Sequence, residues 1–316
     1  MDGFSLILDT LLVLVSIVML WKGAGWLVES AAQIAHSLNV SDLVIGLTVV
    51  AFGTSAPEFA VTIRAAITHQ TEISIGNVVG SNIFNLGFIL GGTAFLRPVQ
   101  ITPKLLYRDG IFLMSVTFLI YLILFGLNGW DPADQMEVAE GGILFLLLIG
   151  YILILFFNKE PVEAVHHQSA SWKSYIIFFI GLFFIVFGGH LMVEHASNLA
   201  HAFGVSDWVI AVTIVAAGTS APELATSLTA AFKGKHGMAV GNLIGSDLFN
   251  LLGVLGLAGM INPAMIKEDI YGSILILIVM VGLVLAMMRT GWEISRSEGG
   301  FLVTVNLIRW YFDFAG

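Results

Sequence analysis

Long apolar runs, separated by short polar stretches, dominate the chain from end to end. A helix that crosses a bilayer needs about 20 predominantly apolar residues, and the pattern of such runs predicts ten spans. They lie at about residues 5–27, 43–68, 73–95, 107–126, 140–157, 174–193, 208–232, 238–261, 271–288 and 300–315. The hydrophobic pattern therefore indicates an all-α polytopic membrane protein.

The composition supports this class. Of the 316 residues, 57% are apolar and 11% are charged, whereas a soluble domain carries about 25% charged residues. The formal net charge is −9 without a basic stripe, which argues against a nucleic-acid partner. The chain has no cysteine, so disulfides and thiolate metal sites are excluded. We expect a lipid bilayer as its surroundings and infer no obligate protein partner.

The few basic residues divide unequally between the two sides of the membrane. With the N-terminus outside, the outer loops hold only Lys267, and the inner loops and adjoining span ends hold nine basic residues. The nine are Arg97, Lys104, Arg108, Lys159, Lys173, Lys233, Lys235, Arg289 and Arg296. Because Lys and Arg concentrate on the cytoplasmic side, we expect both termini outside and a location in the cell (inner) membrane. The first apolar run lacks a basic leader, so we expect a retained helix rather than a signal peptide.

An internal repeat relates the two halves of the chain. Residues 40–58 (VSDLVIGLTVVAFGTSAPE) and 205–223 (VSDWVIAVTIVAAGTSAPE) are identical at fourteen of nineteen positions, with an offset of 165. The same offset relates GNVVGSNIFN at 76–85 to GNLIGSDLFN at 241–250. The two halves are therefore expected to share one fold.

The repeat predicts a division into three parts: a first five-helix repeat at 1–157, a short cytoplasmic linker at 158–172 and a second repeat at 173–316. Because five spans is an odd number, the second repeat enters the membrane from the opposite side. Inverted repeats with broken helices at the midplane are typical of secondary transporters, which bind substrate between the repeats.

Each repeat carries the motif GTSAPE inside an apolar span, at 53–58 and 218–223. Proline removes a backbone donor, so each motif predicts a broken helix with free carbonyl oxygens at membrane depth. In each motif Thr lies four positions and Ser three positions before Glu, so both share a helix face with Glu. A carboxylate near the bilayer centre costs about 2.5 to 3.5 kcal/mol. This cost favours a functional role for Glu58 and Glu223 over simple hydrogen bonding between helices.

The second repeated motif adds neutral oxygen atoms. Ser81 and Asn85 share one helix face, as do Ser246 and Asn250. Carboxylate, hydroxyl, amide and carbonyl oxygens are the ligands that hard cations such as Ca²⁺ and Na⁺ prefer. The alternative is that Ser and Asn only join helices by hydrogen bonds. We favour a cation site at the midplane.

GTSAPE combined with GN-x-x-GS-x-x-x-N, present twice and inverted, resembles the repeats of the sodium/calcium exchanger family, in the calcium/cation antiporter superfamily. The resemblance covers the whole chain and is to prokaryotic-type members. It implies ten helices, alternating access and Na⁺-driven Ca²⁺ exchange, with the ions as cargo and no resident cofactor.

The resemblance also assigns roles to the motif residues. It implies a Ca²⁺ site formed by Thr54, Glu58, Thr219 and Glu223. It implies Na⁺ sites that draw on Ser55, Ser81, Ser220, Ser246 and the backbone carbonyls of Ala51 and Ala216. Asn85 and Asn250 match central polar positions of the family site.

Two positions limit this transfer. Some members carry Asp at the position of Asn250, and an acid there is linked to K⁺, so the resemblance implies transport without K⁺. Asn82 of the first repeat is replaced by Asp247 in the second. We favour a helix-packing or water-facing role for Asp247 over a third cation ligand.

The sequence thus predicts an antiporter that exchanges Na⁺ for Ca²⁺. Net charge movement is expected, because neutral ligands admit more Na⁺ than two carboxylates neutralise. A Ca²⁺/H⁺ exchanger with titrating glutamates is the main alternative, and a cation channel is a further one. An enzyme is not expected, because the sequence has no HExxH, GxSxG or P-loop motif.

Overall fold

The computed structural model describes residues 3–126, 135–157, 170–205, 216–265 and 268–315, and almost all of these are helical. Most of the predicted linker, and the first part of the seventh predicted span, lie outside the described residues.

The first half begins with one long helix, continues through a broken span and ends with three further helices. These are α1 (Gly3–Ser37), α2 (Asp42–Thr54), α3 (Ala56–Ile67), α4 (Thr71–Phe84, continued by a π-helical segment at Asn85–Leu90 and by Gly91–Leu96), α5 (Leu105–Phe125) and α6 (Val138–Phe157).

The second half repeats this order. Its described helices are α7 (Trp172–Ala202), α8 (Ala216–Thr219), α9 (Ala221–Phe232), α10 (His236–Leu248, continued by a π-helical segment at Phe249–Val254 and by Leu255–Ile261), α11 (Glu268–Arg289) and α12 (Arg296–Ala315). The π-helical segments of α4 and α10 begin within the second repeated motif and include its last residue, Asn85 or Asn250. Such segments are frequent at functional sites.

Seven of the described helices are long and apolar enough to cross a membrane, and the bent pair α2–α3 makes an eighth. The described residues therefore form a polytopic helical membrane protein. Two of the ten predicted spans are not among these eight. The α9 helix has only 12 residues because it begins after the break at Ser220, and the described part of the span before that break is only Ala216–Thr219. The α12 helix carries four charged residues along its length.

Helices α1 and α7 are longer than predicted, at 35 and 31 residues. The predicted spans ended at 27 and 193, where Glu29 and Glu194 follow the apolar runs. In α1 the helix continues past Glu29, because Ala31 and Ala35 are buried against neighbouring helices and a charge alone does not end a helix. Glu29 itself pairs with Lys233 at the start of the loop after α9.

Helices α1 and α7 pack along each other and are tied by polar contacts at both ends. At one end His195 Nδ1 lies 2.7 Å from Asp9 Oδ1. At the other end Ser174 donates a hydrogen bond of 2.6 Å to Gln33 Oε1. Asp9 and Ser174 are separated by the repeat offset, so equivalent positions hold the two ends of the pair.

Four short strands join loops in antiparallel pairs. Strand β1 (Val99–Gln100) pairs with β4 (Glu293–Ile294), and β2 (Gln135–Met136) pairs with β3 (Ala264–Met265). The distribution of basic residues predicts that the loops of β1 and β4 lie on the inner side and the loops of β2 and β3 on the outer side. Each pair therefore joins loops that are predicted to share a side.

Glycines let α4 pack closely against α12, and they let α10 pack closely against α6. A Cβ atom at Gly91 of α4 would lie 3.0 Å from the carbonyl oxygen of Gly299 in α12. At the repeat-related Gly256 of α10, a Cβ atom would lie 2.9 Å from the carbonyl oxygen of Gly141 in α6. Small residues permit such backbone approach in membrane helices, which fixes α4 and α10 in place beside the broken helices.

Candidate cation site between the broken helices

The two GTSAPE motifs form equivalent breaks. Helices α2 and α3 are bent by 51° on either side of Ser55. Ser55 has φ −80° and ψ 10°, and Ser220, between α8 and α9, has φ −89° and ψ 9°. Each proline follows the break within the first turn of the next helix, where its missing N–H costs no hydrogen bond. The predicted helix breaks are thus present at both motifs.

The breaks bring each serine to the glutamate of the other repeat. Ser55 Oγ donates to Glu223 Oε1 at 3.0 Å, and Ser220 Oγ donates to Glu58 Oε1 at 3.0 Å. None of these four side chains is more than 1% exposed. The reciprocal pair of hydrogen bonds places both carboxylates between the two repeats.

The neighbouring hydroxyls also approach the carboxylates. Thr219 lies within interaction range of Glu58, and Thr54 lies within range of Glu223. Ser246 of α10 donates to Glu223 Oε1 at 3.4 Å. Each glutamate therefore receives hydroxyl groups mainly from the repeat to which it does not belong.

Several buried oxygen atoms of the site have no hydrogen-bond partner among the described residues. They occur in repeat-related pairs: Glu58 Oε2 with Glu223 Oε2, and Asn85 Oδ1 with Asn250 Oδ1. A buried polar atom without a partner costs about 1 to 3 kcal/mol, and more when it is charged. Four such acceptors around two carboxylates fit a hard cation, which prefers oxygen ligands.

Neutral oxygens are necessary for such a site. Among the residues that the structure describes, no group of three or more Asp, Glu or His side chains could hold a metal ion by itself. The two glutamates also repel each other electrostatically. A bound cation would offset this repulsion while the hydroxyl and amide oxygens complete its shell.

Asn77 and Asn242 support the site rather than face it. Asn77 Nδ2 donates to Thr62 Oγ1 at 2.9 Å and to the Glu58 carbonyl at 3.3 Å. Asn242 Nδ2 donates to Ser227 Oγ at 3.0 Å, and Asn242 Oδ1 accepts from Thr54 at 3.1 Å. The bonds to Thr62, the Glu58 carbonyl and Ser227 tie each broken helix to the helix that follows it, and the Thr54 bond joins the two repeats.

Three predicted site residues remain to be placed: Ser81, Ala51 and Ala216. Ser81 is buried on α4, one turn before Asn85. The Ala51 carbonyl oxygen accepts the Ser55 N–H at 3.0 Å and the Thr54 hydroxyl at 3.3 Å, so both of its lone pairs already face donors. Ala216 begins α8, and its side chain lies outside the described part of the structure.

Sequence reasoning missed one pair of supporting residues. Thr62 and Ser227 lie four residues after the motif glutamates, on the same helix face, and they are repeat-related. That spacing was the signal that could have found them. Asp247, which was expected to pack between helices or to face water, is fully buried and accepts a hydrogen bond of 3.0 Å from Asn85 Nδ2, as a packing role requires.

The glycines of the second motif are packed differently in the two repeats. A Cβ atom at Gly241 would lie 2.8 Å from the Leu43 carbonyl oxygen, and one at Gly245 would lie 2.6 Å from the Leu47 carbonyl oxygen. The repeat-related Gly76 is exposed and Gly80 is half-buried. Contact between α2 and α10 therefore packs closely against Gly241 and Gly245, while Gly76 and Gly80 of α4 are more exposed.

Comparisons with known proteins agree with this architecture. The chain matches the family described as sodium/calcium exchanger protein over residues 8–157 and 173–312. It is 33% identical to sodium/calcium exchanger MaX1 of Methanosarcina acetivorans, over 93% of this chain and 95% of the relative. It is 29% identical to inner membrane protein YrbG of Escherichia coli, over 96% of both chains.

A solved structure matches as well. The sodium-calcium exchanger NCX_Mj, soaked with 10 mM Na⁺ and zero Ca²⁺, superposes with a TM-score of 0.83. It is 30% identical to this chain, and the match covers 96% of this chain and 98% of that one. The two repeated motifs, the helical membrane architecture and these matches together show the family. The chain belongs to the sodium/calcium exchanger family of membrane transporters, as a prokaryotic-type member.

Proposed function

We propose that this protein is a secondary antiporter that exchanges Na⁺ for Ca²⁺ by alternating access. Ten helices in two inverted repeats would carry a shared midplane site, and no resident cofactor would be needed. The proposed ligands are the motif residues of both repeats: Thr54, Ser55, Glu58, Ser81, Asn85, Thr219, Ser220, Glu223, Ser246, Asn250 and the carbonyls of Ala51 and Ala216.

One observation carries the proposal. Ser55 and Ser220 each donate to the glutamate of the opposite repeat, and each glutamate keeps one buried oxygen without a partner. Two carboxylates joined in this way hold a charge of −2 between two bodies that can move relative to each other. One Ca²⁺ or two Na⁺ would neutralise that charge, which is the basis for exchanging one ion for the other.

The unequal packing of the repeats supports alternating access. The α2–α10 contact covers one side of the site, and the repeat-related glycines of α4 are more open. If the first repeat adopted the packing of the second, and the second that of the first, access to the site would move from one side of the membrane to the other. With the N-terminus outside, as the basic residues indicate, the open side would be the outer one.

The identity of the coupling ion rests on neutral ligands and on the relatives. The hydroxyl and amide oxygens suit Na⁺, and both MaX1 and NCX_Mj are named for sodium and calcium. Asn at both 85 and 250 favours transport without K⁺. Neutral ligands would admit more Na⁺ than two carboxylates neutralise, so we propose that exchange is electrogenic.

Ion flux in proteoliposomes tests the coupling. An outward Na⁺ gradient should drive ⁴⁵Ca²⁺ uptake at constant pH, and an imposed membrane potential should change its rate. Uptake that follows a pH gradient in the absence of Na⁺ would instead support Ca²⁺/H⁺ exchange. Conductance without any counter-ion requirement would support a channel.

A further inference from the structure

The helices α1 and α7 cross through glycine residues that are matched between the repeats. Gly23 and Gly188 are separated by the repeat offset of 165. A Cβ atom at Gly23 would lie 2.9 Å from the Gly181 carbonyl oxygen, and one at Gly188 would lie 3.3 Å from the Ser16 carbonyl oxygen. Because this crossing consists of closely packed backbone, the contacts that distinguish the two ends of the pair are polar side chains.

One end of the α1–α7 pair carries a buried carboxylate and an imidazole. At the end that is predicted to be outer, His195 Nδ1 lies 2.7 Å from Asp9 Oδ1, and Asn198 Nδ2 donates to the same oxygen at 3.3 Å. The Asp9 side chain is 8% exposed and the His195 side chain is 13% exposed. A titratable pair that is largely shielded from its surroundings therefore joins the two repeats here.

The repeat-related positions at the other end hold neutral side chains. The offset of 165 relates Asp9 to Ser174, His195 to Ser30 and Asn198 to Gln33. Ser174 donates to Gln33 Oε1 at 2.6 Å, and Ser30 donates to the Trp26 carbonyl of its own helix at 2.6 Å. Of these two equivalent sets, only the outer one contains side chains that titrate.

The other titratable groups around α1 and α7 are exposed, engaged elsewhere or distant from His195. On α7, His190, Glu194 and His201 are exposed, and His190 pairs with Glu194 at 3.7 Å. Among the described helices that pack against this pair, α9 carries Glu223, which accepts from Ser55 and Ser246, and α2 carries Asp42, which pairs with Lys235. The remaining titratable side chains of α1 lie about three turns or more further along the helix: Lys22, Glu29 and His36. Asp9 is therefore the described charged group that His195 faces.

The α7 helix also contacts both broken helices. A Cβ atom at Gly218, the first residue of the second GTSAPE motif, would overlap the side chain of Val193, which lies just before His195 in α7. At the first motif, a Cβ atom at Gly53 would lie 2.8 Å from Leu182 Cδ1, which also belongs to α7. A movement of α7 would therefore act on both motifs and on the glutamates that they carry.

We propose that Asp9 and His195 form a proton-sensitive positioning pair that holds α1 and α7 together at the outer end and thereby sets the rate of exchange. This inference rests on the proposed function. A tight pair moves as one body against the broken helices, so exchange is fastest when the contact is strong. Histidine changes its charge between about pH 5 and 8, and a charge-assisted hydrogen bond is about twice as strong as a neutral one. Protonation of His195 therefore tightens the contact, and the extra attraction is lost as the outer pH rises.

The substitution H195Q separates protonation from hydrogen bonding, because glutamine keeps an amide donor for Asp9 but has no titratable group. In proteoliposomes at saturating Ca²⁺ and Na⁺, we expect the maximal rate of H195Q to fall about threefold to tenfold below wild type at an outer pH of about 6, and by less at about pH 8. Comparison at equal pH cancels any titration of the cation site, which both proteins share. The half-saturating Ca²⁺ concentration should stay unchanged, since the pair does not touch that site. H190Q is the matched control, because His190 pairs with exposed Glu194 of its own helix, and it should follow the wild-type pH profile.

Thermal unfolding of the purified protein tests the contact without transport. When the pH is lowered from about 8 to about 6, the melting temperature of the wild-type protein should rise relative to that of H195Q, and much less relative to that of H190Q. Equal pH dependence of the wild-type and H195Q melting temperatures would overturn the pair as a proton-sensitive contact. Equal pH dependence of their exchange rates would overturn its role in exchange. Absence of Na⁺ coupling in the wild-type protein would instead overturn the proposed function, and the unfolding comparison would still decide the contact.

Discussion

Ser55 and Ser220 are the residues through which the two repeats meet at the centre. Each is fully buried, and its hydroxyl donates a hydrogen bond of 3.0 Å to a glutamate in the other repeat. A hydrogen bond to a charged group contributes about 1.5 to 3 kcal/mol. The serines therefore fix the direction in which each carboxylate presents its second oxygen.

Replacing either serine should weaken transport. S55A or S220A removes the cross-repeat serine hydrogen bond to one glutamate, so we expect ⁴⁵Ca²⁺ exchange to fall about tenfold or more in kcat/KM. S115A is a matched control, because Ser115 is exposed on α5 and donates to the Ile111 carbonyl of its own helix. Equal rates in S55A, S220A and S115A would contradict the assigned role.

At the scale of the elements, the broken helices and the glycine contacts act together. The α2 helix lies against α10 so closely that Gly245 would place a Cβ atom 2.6 Å from the Leu47 carbonyl oxygen. Backbone cannot move aside as a flexible side chain does. The contact that covers the site therefore depends on glycine at this position.

A single methyl group should disturb that contact. Overpacking costs about 1 to 3 kcal/mol, so we expect G245A to lower the apparent melting temperature of the purified protein by several degrees. The repeat-related G80A is the matched control, because Gly80 is half-buried and should change the melting temperature less. If G80A proved as destabilising as G245A, the unequal packing described for the two repeats would be wrong.

The sequence predicted the elements of the site well, but it did not predict how they pair. The helix breaks follow from Pro57 and Pro222, and the offset of 165 already placed Glu58 and Glu223 at equivalent positions. Pairing of Ser55 with Glu223 rather than with Glu58 depends on how the repeats dock, which no local pattern encodes. The contact of Asp247 with Asn85 of the other repeat depends on the same docking, so the sequence could name Asp247 but not its partner.

At the scale of the whole molecule, contacts between loops agree with the topology that the basic residues predict. The loops of β1 and β4 pair with each other, and the loops of β2 and β3 do the same. Arg97 donates to the carbonyl of Phe232 at 3.2 Å, and Lys235 lies 3.1 Å from Asp42. These four residues are all predicted to lie at the inner side.

Cysteine labelling tests the proposed orientation directly, because the chain has no cysteine of its own. Gln70 and Gln100 are both exposed, and they are predicted to lie on the outer and inner sides respectively. In intact cells, a membrane-impermeant maleimide should label Q70C, and it should label Q100C only after permeabilisation. The opposite pattern would place the N-terminus inside.

The account as a whole rests on the two glutamates as the shared site for Ca²⁺ and Na⁺. Na⁺-gradient-driven ⁴⁵Ca²⁺ uptake, compared in proteoliposomes of the wild-type protein, E58Q and E223Q, tests this most directly. Uptake should be present in the wild-type protein and lost in both variants, since each substitution removes one of the two charges that hold the cation. Uptake that persists in both variants would contradict the assignment of the site.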